Sequence, residues 1–97
     1  MKFRVFLNNV LCSCEVEIYY FPDKCTRVSI VVSPIFADSP EDSLTRWTGF
    51  SYCSKGDQYV KRLGRRYAFV NLFKVHKLTR VQRKAIVDAM AEQGYNF

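Results

Sequence analysis

Apolar and polar positions alternate with a period of two near the start of the chain, as in strands with one buried face. From Lys2 to Leu7 the odd positions are apolar, and from about Leu11 to Tyr20 the even positions are apolar. Asn8 and Asn9 lie between these segments, and asparagine tolerates the positive φ of tight hairpin turns. The pattern predicts two antiparallel strands joined by a short turn.

Two further strands are predicted before residue 54. The first runs from about Thr26 to Ser33, a segment rich in β-branched residues. The proline-containing segment Phe21–Lys24 predicts the turn that precedes it. The last strand is predicted at Gly49–Cys53. Between them, Ser39–Asp42 has the cap, proline and acids of a helix start, so we expect a short helical turn to about Trp47.

The hydrophobic period changes to that of a helix after residue 56, and Asp57 is the predicted N-cap. Placing residues at 100° intervals separates two arcs in the first three turns. The apolar arc contains Tyr59, Val60, Leu63, Tyr67 and Val70, and the basic arc contains Lys61, Arg62, Arg65 and Arg66. Beyond Ala68 the arcs mix, so we expect the second half of this helix to be buried on most sides. Gly64 predicts close approach by another backbone.

Thr79 and Gln82 have the spacing of a capping box, which predicts the start of a second helix. Gly94 is expected to end this helix in the left-handed conformation. A stripe suited to close packing lies between them and contains Val81, Ala85, Ile86, Ala89 and Met90. The aromatic segment Phe69–Phe73 is expected to anchor both helices to the sheet.

The predicted fold is therefore α+β, with an antiparallel sheet of about four strands, an N-terminal meander, packed against two C-terminal helices. The 97 residues fit a single domain, mainly β over residues 1–54 and mainly α over residues 55–97.

Positive charge is concentrated in the helical half. The segment Lys55–Lys84 contains ten of the fifteen Lys and Arg residues and one acid, a net charge of +9 in a chain of +6. This concentration favours an anionic partner, either an acidic surface of a protein or nucleoprotein complex or a nucleic acid. The candidate partner-binding residues are Lys55, Lys61, Arg62, Arg65, Arg66, Arg80, Arg83 and Lys84.

The sequence offers few residues for catalysis or metal binding. Its one histidine, His76, has no accompanying nucleophile motif, and there is no phosphate-binding glycine loop, so we expect neither catalysis nor a cofactor. Cys12, Cys14, Cys25 and Cys53 lack the paired spacing of zinc ligands. Cys12 and Cys14 share a face of the second strand with its apolar residues and are expected to be core thiols. A zinc-stabilised interaction domain, disulfides and a pairing of Cys53 with His76 are the less favoured alternatives.

No apolar run approaches the ~20 residues needed to span a bilayer, and the chain begins without the apolar block of a signal peptide. We therefore expect a cytoplasmic protein that does not enter a membrane.

Three segments resemble small bacteriophage proteins of a largely uncharacterised type. Phe50–Tyr59 followed by Lys61–Ala68 is similar to their strand, Lys-Gly-Asp-x-Tyr segment and basic Gly-Arg helix, and Leu78–Ile86 resembles the opening of their second helix. Small phage proteins commonly bind and disable host machines, including CRISPR surveillance complexes, restriction systems and RNA polymerase. The resemblance therefore implies an anti-defence or host-takeover protein of the bacterial cytoplasm. Many such inhibitors are acidic DNA mimics, and this basic chain departs from that type.

The residues and the resemblance together predict a non-catalytic protein that inhibits a host protein or nucleoprotein complex through a basic helical face. The alternative is a module that binds DNA or RNA directly.

Overall fold

A computed structural model describes residues 1–36, 44–53 and 58–96 of the chain. The elements are β1 (Lys2–Leu7), β2 (Val10–Phe21), β3 (Cys25–Pro34), β4 (Thr45–Tyr52), α1 (Lys61–Val75) and α2 (Arg80–Glu92). The strands form one antiparallel sheet in the order β1-β2-β3-β4, and both helices follow it in the chain. The predicted α+β fold with a four-stranded meander is confirmed.

The first hairpin forms where the alternation predicts it. Asn8 and Asn9 both have positive φ, 52° and 65°, as a two-residue hairpin turn requires. Leu7 consequently pairs with Val10, and this register places the apolar sets of β1 and β2 on the same face of the sheet.

β4 begins earlier than predicted. The strand starts at Thr45, so the expected helical turn to Trp47 is wrong for residues 45–47, and its proposed start at Ser39–Asp42 lies outside the described residues. Trp47 pairs with Ile30 of β3 and packs against the core. This aromatic and β-branched pairing across the sheet stabilises a strand more than the local helix signal stabilises a turn.

One face of the sheet is buried beneath the helices. α1 packs against β3 and β4, and α2 packs against β1. The largest fully buried apolar side chains between these layers are Phe69, Ile30, Leu72, Ile86, Met90 and Val28. The expected anchoring by the segment Phe69–Phe73 is confirmed, because Phe69, Leu72 and Phe73 are all buried. No described element covers the opposite face of the sheet, which we call the open face.

The start of α1 differs from the prediction. The helix begins at Lys61 rather than near Asp57, which lies outside the described residues. Val60 is the N-cap residue with an extended backbone, and no side chain of the described residues caps this helix end. Val60 instead supplies the carbonyl that accepts the first helical hydrogen bond, from the Gly64 N–H at 3.0 Å.

Two glycines allow α1 to lie close to the sheet. A Cβ on Gly64 would meet Thr26 Oγ1, so the predicted close neighbour is a side chain and not a backbone. The close backbone approach occurs at Gly49 of β4, where a Cβ would meet the Ala68 carbonyl oxygen and Leu72. These crossing points fix the position of α1 over β3 and β4.

α2 has the predicted ends. The Gln82 N–H donates to Thr79 Oγ1 at 3.1 Å, and the Thr79 N–H donates to Gln82 Oε1 at 2.9 Å, so the capping box is confirmed. Gly94 has φ 86°, as predicted for the residue after the C-cap. The predicted packing stripe is confirmed for Ile86 and Met90, which are fully buried. The prediction is wrong for Val81, which is 79% exposed beyond the edge of the packed face.

Candidate partner-binding site

α1 presents an apolar row to solvent. Val60, Leu63, Tyr67 and Val70 are all exposed, and Tyr67 retains 56% of its accessible surface. The residues predicted to form the apolar arc therefore do not form the buried face, which consists of Gly64, Ala68, Phe69, Leu72 and Phe73. The second half of α1 is also less enclosed than expected, because Val75 is exposed.

A second pattern in the sequence indicates the buried face of α1. Gly64, Ala68 and Leu72 follow each other at intervals of four, so they lie on one side of the helix. Two small residues in that row permit close packing on the sheet, and the bulkier row beside them is left outside. Large apolar side chains contribute most to a hydrophobicity pattern. The distance between α1 and the sheet is instead set by the small residues Gly64 and Ala68.

A groove lies between the exposed row of α1 and the end of β4. Its volume is about 400 Å³. The lining residues are Ser51, Tyr52, Cys53, Gln58, Tyr59, Val60, Leu63, Gly64 and Tyr67. Tyr59 forms part of its floor, because its hydroxyl is hydrogen-bonded to buried Thr26 Oγ1 at 2.7 Å. The walls carry two aromatic rings that are exposed at the rim, Tyr52 and Tyr67.

Arginines lie on the other side of the apolar row. Arg66 lines a crevice between the helices together with Phe69, Val70, Phe73 and Val87, so it faces away from the groove. Arg62 is one helical turn earlier and exposed. α1 contains five basic residues and no acidic one. The outer surface of α1 is therefore an apolar row with a groove on one side and cations on the other.

Arg65 contacts residues outside α1 and therefore has a structural role as well as a place on the surface. Its Nη1 donates to the Tyr20 hydroxyl at 3.0 Å, and its guanidinium lies 5.7 Å from the ring centroid of Tyr95. The hydrogen bond to Tyr20 is the main cause of a raised Arg65 pKa. Arg65 thus joins α1 to β2 and to the segment after α2. Lys61 lies beside it, with Nζ 5.0 Å from the ring centroid of Tyr20.

The remaining candidate cations are dispersed. Arg80, Arg83 and Lys84 lie in the first turns of α2 and are exposed. Lys84 pairs with Asp88 at 2.7 Å, one turn later in the same helix. Lys55 lies outside the described residues. Arg62 and Arg66 are therefore the candidates best placed beside the exposed apolar row of α1.

His76 protects the edge of the sheet. Its Nε2 lies 3.1 Å from the Thr48 nitrogen and 3.2 Å from the Thr48 oxygen, so its tautomer determines whether it accepts or donates. Asn71 Nδ2 donates to the Phe50 oxygen at 2.7 Å. His76 and Asn71 thus form hydrogen bonds with outward-facing backbone groups of β4, which would otherwise be free to pair with another strand.

The cysteine thiols lie mainly in the interior. Cys12, Cys14 and Cys25 are buried and Cys53 is half-buried, and Cys12 and Cys14 pack in the core as predicted. Burial, with a smaller contribution from Cys12, raises the pKa of Cys14 to about 12. Within the three described ranges, no three His, Cys, Asp or Glu side chains are grouped to hold a metal ion.

Cys14 is expected to resist alkylation in the native protein. With a pKa of about 12, about one thiol in 10⁴ is ionised at pH 8, and the thiolate is the reactive form. Iodoacetamide treatment followed by peptide mass spectrometry should find Cys14 unmodified in the native protein and modified in urea. Equal modification rates at Cys14 under the two conditions would contradict this expectation.

No helix in the described part of the chain is long and apolar enough to cross a membrane. A scan against protein-family models, a search of curated proteins and a search of solved structures each find no match to this chain.

Proposed function

We propose that this protein acts by binding, and that the outer surface of α1 docks on a protein whose surface offers a large apolar side chain flanked by carboxylates. The observation that carries the proposal is the exposed row of Val60, Leu63 and Tyr67 beside a groove of about 400 Å³. Single exposed apolar residues are ordinary, whereas a contiguous row beside a concave surface is typical of an interaction site.

Charge supports an acidic partner. Arg62 and Arg66 lie beside the apolar row, and α1 has no acid to neutralise them. Arginine forms paired hydrogen bonds with carboxylates, and both arginine and tyrosine are enriched among the residues that dominate interface energies. An apolar side chain of the partner would enter the groove, and carboxylates of the partner would bind Arg62 and Arg66. Both sides of the outer surface of α1 would then take part in the contact.

The resemblance to small phage proteins supports a bacterial host protein, or the protein component of a nucleoprotein complex, as the partner. Stoichiometric inhibition follows from occupying such a surface and requires no catalytic group. Under this proposal, the protein disables a host defence or transcription machine by covering an acidic part of it in the bacterial cytoplasm.

The test is capture of a partner from a bacterial lysate with and without nuclease, followed by measurement of Kd with the purified partner. Leu63→Asp is expected to weaken the complex by about 100-fold, since it places a carboxylate in the groove opposite an acidic partner. The double change Arg62→Glu and Arg66→Glu is expected to weaken it by at least about tenfold. Arg65 is left unchanged because it also holds Tyr20 and Tyr95.

Val81→Asp is the matched control, because Val81 is an exposed apolar residue of the other helix. It should bind the partner as the unaltered protein does. Thermal melts establish that each variant is folded. The proposal is wrong if Leu63→Asp and the double arginine variant retain the unaltered affinity, or if nuclease removes every captured protein.

A further inference from the structure

The open face of the sheet carries a cluster of aromatic rings around one arginine. Tyr19, Arg27 and Phe50 lie opposite one another on β2, β3 and β4, and Phe21 and Tyr52 lie in the next row, on either side of Cys25. We call Tyr19, Phe21, Arg27, Phe50 and Tyr52 the sheet platform. From this cluster we infer a second binding surface, whose ligand is single-stranded nucleic acid.

The rings of the sheet platform contact each other and the guanidinium. Tyr19 and Phe21 meet edge to face with centroids 4.6 Å apart, whereas Phe50 and Tyr52 are nearly parallel, with an interplanar angle of 16°. The Arg27 guanidinium carbon is 5.5 Å from the Tyr19 centroid and 5.6 Å from the Phe21 centroid. Tyr19 and Phe21 thus hold the Arg27 guanidinium on the sheet platform by cation–π contacts.

The rings are available to a ligand. Tyr52 is 72% exposed, and Tyr19 and Phe50 are exposed as well. A solvated face of an antiparallel sheet normally carries polar side chains, and the far part of this face does so with Ser13, Glu15 and Glu17. Exposed Phe6 of β1 lies at the opposite end of this face from Phe21 and Tyr52, whereas four aromatic residues lie together at the end that includes these two. Their concentration there distinguishes a patch from scattered exposed residues.

Arg27 indicates the class of ligand. The ion pairs found in the described residues join Arg46 to Glu17 and Lys84 to Asp88, and neither involves Arg27. A guanidinium among exposed rings can contact a phosphate while bases stack on the rings, which is how sequence-tolerant single-strand sites are built. A net charge of +6 further favours a polyanion.

The same geometry disfavours two other occupants. Duplex bases are already stacked on their neighbours and do not present free faces to the rings. Pairing the sheet platforms of two copies would bring two Arg27 cations into one interface, and the platform contains no carboxylate to neutralise them. A flexible single strand has both the free base faces and the phosphates that this surface accommodates.

The probe is a fluorescein-labelled single-stranded oligonucleotide of twelve thymidines or twelve uridines, followed by fluorescence anisotropy at several salt concentrations. Binding is expected to weaken as salt rises, and a duplex of equal length should bind less tightly. The double change Tyr19→Ala and Phe50→Ala should weaken single-strand binding by about 100-fold. Arg27→Ala should weaken it by at least about tenfold.

Two further variants keep the test decisive. Tyr19→Leu with Phe50→Leu removes the rings but retains apolar side chains on the strands, so it serves if the alanine variant does not fold. Val81→Ala is an exposed apolar truncation on α2 and should leave binding unchanged. Tyr52 is not altered, because it lines the α1 groove as well and would confound the two surfaces.

Three outcomes would overturn the inference. The first is equal affinity of the unaltered protein and both double variants for the single strand. The second is equal affinity for single strand and duplex, which would indicate general attraction to phosphates. The third is no oligonucleotide binding together with a dimer, seen by light scattering, that the Tyr19 and Phe50 changes dissociate; the occupant would then be a second copy of the chain.

Discussion

Replacing Phe69 by alanine is expected to lower the free energy of unfolding by about 3–5 kcal/mol. Phe69 is the largest of the fully buried side chains. Its ring lies 6.4 Å from the Phe73 centroid and 5.9 Å from the Tyr95 centroid, so truncation opens a cavity between α1 and the segment after α2. Small domains have total stabilities of about 5–15 kcal/mol, so this single change removes a large share.

Guanidinium chloride unfolding followed by circular dichroism measures the loss. Phe50→Ala is the matched control, because it makes the same chemical change at an exposed position of the open face. Loss of its ring contact with Tyr52 on the same strand and of its pairing with Arg27 on β3 should cost less than about 1 kcal/mol. Similar losses at Phe69 and Phe50 would contradict the assignment of the core to the face beneath the helices.

The first hairpin and the start of α2 were predictable because their signals are local. The alternation over Lys2–Leu7 and the turn at Asn8 and Asn9 fix both the register and the buried face of the first hairpin. Likewise, the capping box of Thr79 and Gln82 forms within four residues and needs nothing from the rest of the fold. Such features depend on side chains adjacent in the sequence, so the sequence alone identifies them.

The orientation of α1 depends on distant residues. Its buried face is selected by how closely Gly64 and Ala68 can approach β3 and β4, and that distance depends on Thr26 and on Gly49. A count of hydrophobic residues along the helix favours Leu63 and Tyr67 as core positions, and these are the residues that packing leaves exposed. This difference creates the apolar row on which the proposed partner site rests.

The sheet platform was unpredictable for a related reason. Phe21 and Tyr52 are separated by thirty residues in the sequence, and they flank Cys25 only because β2 and β4 both pair with β3. The alternation does place Tyr19 and Phe21 on the face opposite the core. Recognising an aromatic cluster there also requires the β3–β4 register, which the expected start of β4 at Gly49 did not supply.

Gly49→Ala is expected to destabilise the protein by about 3 kcal/mol, because the new methyl group meets the helix backbone at the Ala68 carbonyl. Truncating a side chain cannot relieve that contact, so α1 must move away from β4. The movement would stretch the hydrogen bond from Asn71 to the Phe50 oxygen and reshape the groove. Chemical unfolding measures the loss of stability, and partner affinity should fall with it.

Gly64→Ala provides the comparison that distinguishes backbone from side-chain contact. Its methyl group would meet Thr26 Oγ1, which the change Thr26→Ala removes. In the Thr26→Ala background, Gly64→Ala should be neutral or stabilising by up to about 1 kcal/mol, because alanine is the better helix former. The Gly49→Ala loss should persist in that same background. If Gly49→Ala costs no more than Gly64→Ala there, then the Gly49 crossing does not fix the distance between α1 and the sheet, and the groove must be held by other contacts.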